Sequence, residues 1–121
     1  QIRYVGEISK AQKSNFFGNA KALLYPIEWD EPFGLVMAEA LACGTPVIAY
    51  DRGSVSEIIK DKEVGFVVKN NIRSLMSAMK QVDSIDRTRC RKHVEDNFTI
   101  ERMVDGYEDI YYKTLNRKSW K

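Results

Sequence analysis

Short apolar segments alternating with helical patterns predict an α/β fold: a Rossmann-like parallel sheet with helices on both faces and a helical C-terminus. Three observations carry this. Residues 2–5, 22–25, 46–50 and 65–68 are brief apolar runs of strand length, the stretches between them space apolar residues at helical intervals, and beyond residue 68 every pattern is helical. In such a sheet ligands bind outside the carboxyl ends of the strands.

In chain order, residues 2–5 read as a strand, and residues 9–20, with Ala11, Phe16, Phe17 and Ala20 at helical spacings, as a helix. A second strand at 22–25 is stopped by Pro26. The loop from 27 to 33 holds Glu28, Asp30 and Glu31 and leads into a helix over 34–43, which ends at Gly44, a residue able to take the left-handed cap. Residues 46–50 form a third strand, 55–59 a short helix after a loop containing Gly53 and Ser54, and 65–68 a fourth strand. Helices follow over 72–82, 86–97 and 100 to about 116. The last spaces Met103, Val104, Tyr107, Ile110, Tyr111 and Thr114 as a stripe expected to face the core.

At 121 residues the chain is read as one domain, residues 1–121, and its 44% hydrophobic and 30% charged content is that of an ordinary globular protein. Nineteen basic against seventeen acidic side chains leave a charge of +2, with no basic stripe of interleaved aromatics, so nucleic acid is not an expected partner. No apolar run reaches membrane-spanning length and no signal-peptide pattern opens the chain, so a cytoplasmic location is expected. Cys43 and Cys90 lack a Cys or His at metal-ligand spacing and read as free thiols. The chain opens on Gln1, almost directly in a strand pattern, as a piece of a longer protein would.

The chemistry concentrates between residues 29 and 49. Glu31 and Glu39 stand with seven residues between them, one at the mouth of an otherwise apolar helix and the other inside it. An apolar helix reads as buried all round, and a buried carboxylate is costly without hydrogen-bond partners, yet no partner for Glu39 stands nearby in sequence. A hydroxyl-rich ligand would supply one. The helix start at Gly34 offers free N–H groups and the positive end of the dipole to a phosphate. Together these features suggest a sugar nucleotide.

The run from Trp29 to Ala49, with Phe33-Gly34-Leu35 and Gly44-Thr45-Pro46-Val47-Ile48-Ala49 in register, then Gly53 to Ile59 including Glu57, and Val64 to Val68, closely resembles the C-terminal domain of family 4 retaining glycosyltransferases. Those enzymes have the GT-B architecture, two Rossmann-like domains facing a cleft, and the chain resembles a C-terminal, donor-nucleotide-binding part without the N-terminal acceptor domain. The resemblance implies a retaining transferase moving a hexose from a UDP-, GDP- or ADP-sugar to a carbohydrate or lipid-linked acceptor. It implies that Glu39 binds the ribose diol, that the backbone of Phe33, Gly34 and Leu35 meets the diphosphate or sugar, and that Glu31, the catalytic candidate, lies against the donor sugar and orients it. It further implies no metal or other cofactor, a basic diphosphate grip upstream of this chain, and a fragment inactive alone. The full-length enzyme would work in the cytoplasm or at the cytoplasmic face of a membrane. In the family a terminal helix returns toward the other domain, so Tyr111, Tyr112 and Trp120 could be exposed interface residues able to drive self-association.

Plainer readings stand beside these. Glu39 could be a core glutamate bonded to nearby backbone, Glu31 a solvated loop acid with Glu28 and Asp30, and Gly34 only a turn residue. Ser54 and Val55 are read as a plain loop before donor contacts, and Glu57 as a helix-start charge. His93, among Arg89, Arg91 and Lys92, is placed on a solvated helix face. A non-catalytic nucleotide-binding α/β module, and a GT-B relative such as a sugar-nucleotide epimerase or a phosphorylase, remain alternatives.

Overall fold

The computed structural model of the chain describes residues 1–116. Its elements follow in the order α1 (Lys10–Gly18), β1 (Leu23–Tyr25), α2 (Leu35–Ala42), β2 (Val47–Tyr50), α3 (Val55–Ile58), β3 (Gly65–Val68), α4 (Ile72–Gln81), α5 (Arg87–Asn97) and α6 (Ile100–Leu115), with one 3-10 turn, Val82–Ser84, after α4. The three strands form a parallel sheet in the order β1-β2-β3, with Leu24, Ile48 and Phe66 in register. All of β2 is buried, as a central strand covered on both faces requires. Leu24 and Ile48 meet Met79 and Val82 at the α4 side. Strand alternation turns Val47 and Ala49 the other way. On α2 the buried side chains are Met37, Ala40 and Leu41, spaced to fill one face of the helix.

Polar side chains fix the helix ends. Asn71, Asp86 and Thr99 each accept the N–H two or three residues on, at 2.9, 2.8 and 3.3 Å. Gly44, at φ +73°, ends α2 as expected. Arg87 is a long-range staple: its guanidinium donates to the carbonyls of Gly18 and Ala20 at 2.8 Å and to Thr45 Oγ1 at 3.1 Å, while the buried Thr45 hydroxyl donates to Phe17 O. The C-terminal end of α1 is thereby tied to the turn between α2 and β2, which sets α1 beside α2.

The structure corrects three expectations. Residues 2–5 are not a strand: Ile2, Tyr4 and Val5 are exposed, and the sheet has three strands among the described residues. A strand needs a neighbour for its backbone groups, and among the described residues this segment pairs with none. The stripe on α6 is amphipathic as read, yet none of its residues is buried; Met103, Tyr107, Ile110 and Tyr111 are all more than half exposed. Nothing among the described residues covers that face, and Trp120 lies outside the described residues. Third, α2 is not buried all round, for Leu35 projects from it 70% exposed.

Candidate functional site

Tyr25 closes β1, so the loop that follows leaves the carboxyl end of a parallel strand, where α/β folds place ligands. That loop carries Glu31. Its Oε2 accepts the Tyr25 hydroxyl at 2.7 Å and the Trp29 indole N–H at 3.2 Å. Chiefly through Tyr25, with the Trp29 indole and the amides of Phe33 and Gly34 adding to it, the Glu31 carboxyl is held below its usual range and is ionised at neutral pH. In return, burial first and the Glu31 carboxylate second push the Tyr25 phenol up to about 12.

Gly34 then takes φ +79°, ψ +61° as the residue before α2. A Cβ there would run into the Met37 side chain and lie 3.1 Å from Glu31 Cγ, so both the left-handed backbone and the space call for glycine. The first bond of α2 runs from Met37 N to Gly34 O at 2.9 Å, which leaves the amides of Leu35 and Val36 ahead of the intrahelical ladder. From the other side the loop between β2 and α3 presses on this turn. Ser54 N donates to Glu31 O at 2.9 Å and Ser54 Oγ to Phe33 O at 2.8 Å. The buried Ser54 hydroxyl is therefore a support of the turn, a role that the plain-loop reading misses.

Glu39 lies one turn beyond Leu35, about 6 Å along the axis and on the same face. It is not the buried, partnerless carboxylate the apolar helix implied. Its side chain is 39% exposed, and Lys13 of α1 holds both oxygens through one ammonium, at 2.7 and 2.8 Å. Lys13 stands 26 residues earlier and arrives because Arg87 and Thr45 dock α1. An ionised carboxylate has about four lone-pair sites, so a single ammonium does not saturate it. Glu39 and Lys13 rim an open hollow of about 330 Å³, together with Ile8, Phe16, Leu35 and Val36. A larger apolar hollow, about 770 Å³, adjoins the turn between Phe33, Leu35, Phe98 and Tyr107. The two hollows meet at Leu35.

The structure thus brings Glu31, Phe33, Gly34 and Leu35 together at the N-terminal end of α2, with Glu39 one turn further along the helix. Glu57 is an exposed charge in the first turn of α3, Val55 is core, and no group of three or more His, Cys, Asp or Glu side chains among the described residues could hold a metal ion. Sequence reasoning overlooks Lys13 and Tyr25; the latter could have been found from its place at a strand's carboxyl end. His93 is a further correction. It is half-buried rather than solvated, with Nε2 2.9 Å from Ile58 O, because the fully buried Cys90 shares its helix face. Among the described residues no helix is long and apolar enough to cross a membrane.

The family model described as "Glycosyl transferases group 1" matches residues 1–96. The chain is 32% identical over 92 residues to N-acetyl-alpha-D-glucosaminyl L-malate synthase of Bacillus anthracis, a match covering 70% of this chain and 24% of that protein. It is 37% identical over 67 residues to phosphatidyl-myo-inositol mannosyltransferase of Mycobacterium leprae, covering 55% of this chain and 18% of that one. The chain thus spans about a quarter or less of these two relatives. Among solved structures, sucrose-phosphate synthase of Thermosynechococcus elongatus superposes with a TM-score of 0.80 at 26% identity, over 96% of this chain and 31% of that chain. The fold is of GT-B type, and the chain belongs to the group 1 glycosyl transferases.

Proposed function

We propose that the chain is the donor-binding part of a family 4 retaining glycosyltransferase, which moves a hexose from a nucleoside diphosphate sugar to a carbohydrate or lipid-linked acceptor in the cytoplasm. Glu39 takes the ribose diol, the amides at the start of α2 face the diphosphate, and Glu31 lies against the donor sugar. The observation that carries this is the placing of Glu31 and Glu39 on either side of a helix N-terminus opened by a left-handed Gly34, with Glu39 on the rim of an open hollow. An ionised carboxylate accepts hydrogen bonds from two vicinal hydroxyls, and charge-assisted bonds are the strong ones. Stabilisation of the departing phosphate is then an electrostatic task for the helix terminus, and no metal is assigned a part. Glu31 orients and polarises the sugar. The diphosphate grip and the acceptor site belong to the rest of a longer protein, so the chain alone binds weakly and does not turn over.

Titration calorimetry of the chain with UDP, GDP and ADP tests this. One of them should bind with a millimolar dissociation constant, about −4 kcal/mol, and Glu39→Ala should abolish the heat. Absence of binding of all three at millimolar concentration by the full-length protein, or undiminished binding by Glu39→Ala, rejects the site. Sugar transfer by the purified chain rejects the division of labour, and an inverted anomeric centre in the full-length enzyme's product rejects retention.

A further inference from the structure

We propose that His93 and Phe98 are positioning residues for the Glu31–Gly34 turn, a role that rests on the donor-site reading of that turn. The turn presents Phe33 outward, 42% exposed, next to the exposed Pro32. The Phe33 ring packs edge-on against Phe98, at the end of α5, with ring centroids 6.1 Å apart and planes at 76°. Phe98 in turn stands edge-on to His93, at 5.4 Å and 77°. Both contacts have the geometry that aromatic quadrupoles favour.

The His93 ring is itself anchored. Ile58 O can only accept, so Nε2 carries the proton and donates at 2.9 Å, and Nδ1 faces the Asn97 amide at 3.3 Å. Ile58 ends α3 and is almost fully buried; the last carbonyls of a helix have no partner within it, so the imidazole supplies one. The opposite end of the same four-residue helix begins at Ser54, which holds the backbone of Glu31 and Phe33. One short helix therefore restrains the turn twice. Its N-terminal end grips the main chain, and its C-terminal end fixes, through His93 and Phe98, the ring of Phe33. A half-exposed ring without Phe98 beside it is free to change rotamer, and the turn loses the packing that braces it on that side.

Trp29, hydrogen-bonded to Glu31, reports the turn without any ligand. A Trp120→Phe background leaves it as the single tryptophan. In that background Phe98→Leu and His93→Ala should shift Trp29 emission to the red and weaken nucleotide binding, measured with UDP, GDP and ADP, by about tenfold, while Phe98→Tyr keeps wild-type values for both. Unshifted emission in both Phe98→Leu and His93→Ala overturns the proposal, as does a Phe98→Tyr shift equal to that of Phe98→Leu. Wild-type affinity in a variant with shifted emission also overturns it. If Phe98→Leu fails to fold, Phe33→Leu opens the same contact from its exposed side and must give the same red shift. A red shift in a protein whose parent binds none of the three nucleotides leaves the aromatic coupling standing and defeats the donor reading.

Discussion

Replacing Gly53 by alanine should damage the candidate site from a distance, and the structure gives the size of the effect. Gly53 has φ +54°, and a Cβ added there would lie 2.5 Å from Glu31 N and 2.9 Å from the Asp30 carbonyl carbon. Ordinary contact begins at 3.4 Å, so two backbones, neither with a flexible end to give way, must part by about 0.9 Å. That separation breaks the 2.9 Å bond from Ser54 N to Glu31 O. Left-handed strain costs about 1–3 kcal/mol and the lost bond about 1 kcal/mol, together about 3 kcal/mol. For a chain of this length the midpoint should fall by roughly 10–15 °C. Thermal and urea unfolding measure it, with Gly6→Ala as control: Gly6 shares the positive φ, at +72°, but a Cβ there meets nothing within 4 Å. Equal stabilities of the two variants, with Trp29 emission unchanged in Gly53→Ala, would refute the claim that the two loops are interlocked.

Tyr25 should ionise at about 12, since burial and the Glu31 carboxylate both favour the neutral phenol. A pKa raised by folding means that this contribution to stability is complete below pH 10 and lost as pH climbs to 12; a difference absorbance titration of wild type against Tyr25→Phe that centres near 10 contradicts it. Glu31 has the opposite sign: its lowered pKa stabilises the fold above the usual 4.5 and ceases to do so as pH falls further, so the stability gap between wild type and Tyr25→Phe should close on acidification. Burial raises the Cys90 thiol to about 11, with its sulfur against Val64 O, whereas Cys43 is only half-buried. A thiol reagent at pH 8 should label one cysteine in the native chain and two in urea; two at once would be inconsistent with the packing of α5. Ile110→Lys should change unfolding free energy by less than about 0.5 kcal/mol, because no α6 residue is buried among the described residues.

What could be read from the sequence was whatever local backbone chemistry decides. The strand at Gly65–Val68, the left-handed stop at Gly44 and the placing of Glu31 and Gly34 at the start of α2 with Glu39 inside it all follow from spacing and residue type. What failed depends on a partner distant in sequence. Lys13 reaches Glu39 from α1, whose C-terminal end Arg87 holds, and no periodicity near residue 39 announces it. The apolar patterns of residues 2–5 and of α6 express a demand for burial, and a pattern states the demand without naming what meets it. His93 reads as solvated from its charged sequence neighbours, whereas its helix face is set by Cys90, three residues before it and fully buried.

The two carboxylates differ in how they are held, and on the proposed reading that difference divides the work between them. Glu31 is bonded by rigid donors, a phenol and an indole, on a turn that Ser54 pins from behind. A carboxylate whose Oε2 already accepts two hydrogen bonds is a fixed negative charge, suited to orienting a sugar and poorly placed to swing onto its anomeric carbon as a nucleophile. Glu39 instead faces one long, flexible ammonium, and both side chains of that pair are about two-fifths exposed. Such a pair is worth about 0.2–1 kcal/mol. Two hydroxyls binding the same carboxylate gain about 1.5–3 kcal/mol each, so a ribose diol can share Glu39 with Lys13 or displace it at little cost. Lys13→Ala should therefore leave nucleotide affinity within about tenfold of wild type, whereas Glu39→Ala removes it. Equal losses from the two variants would show that the ammonium carries as much of the binding as the carboxylate and would refute this division.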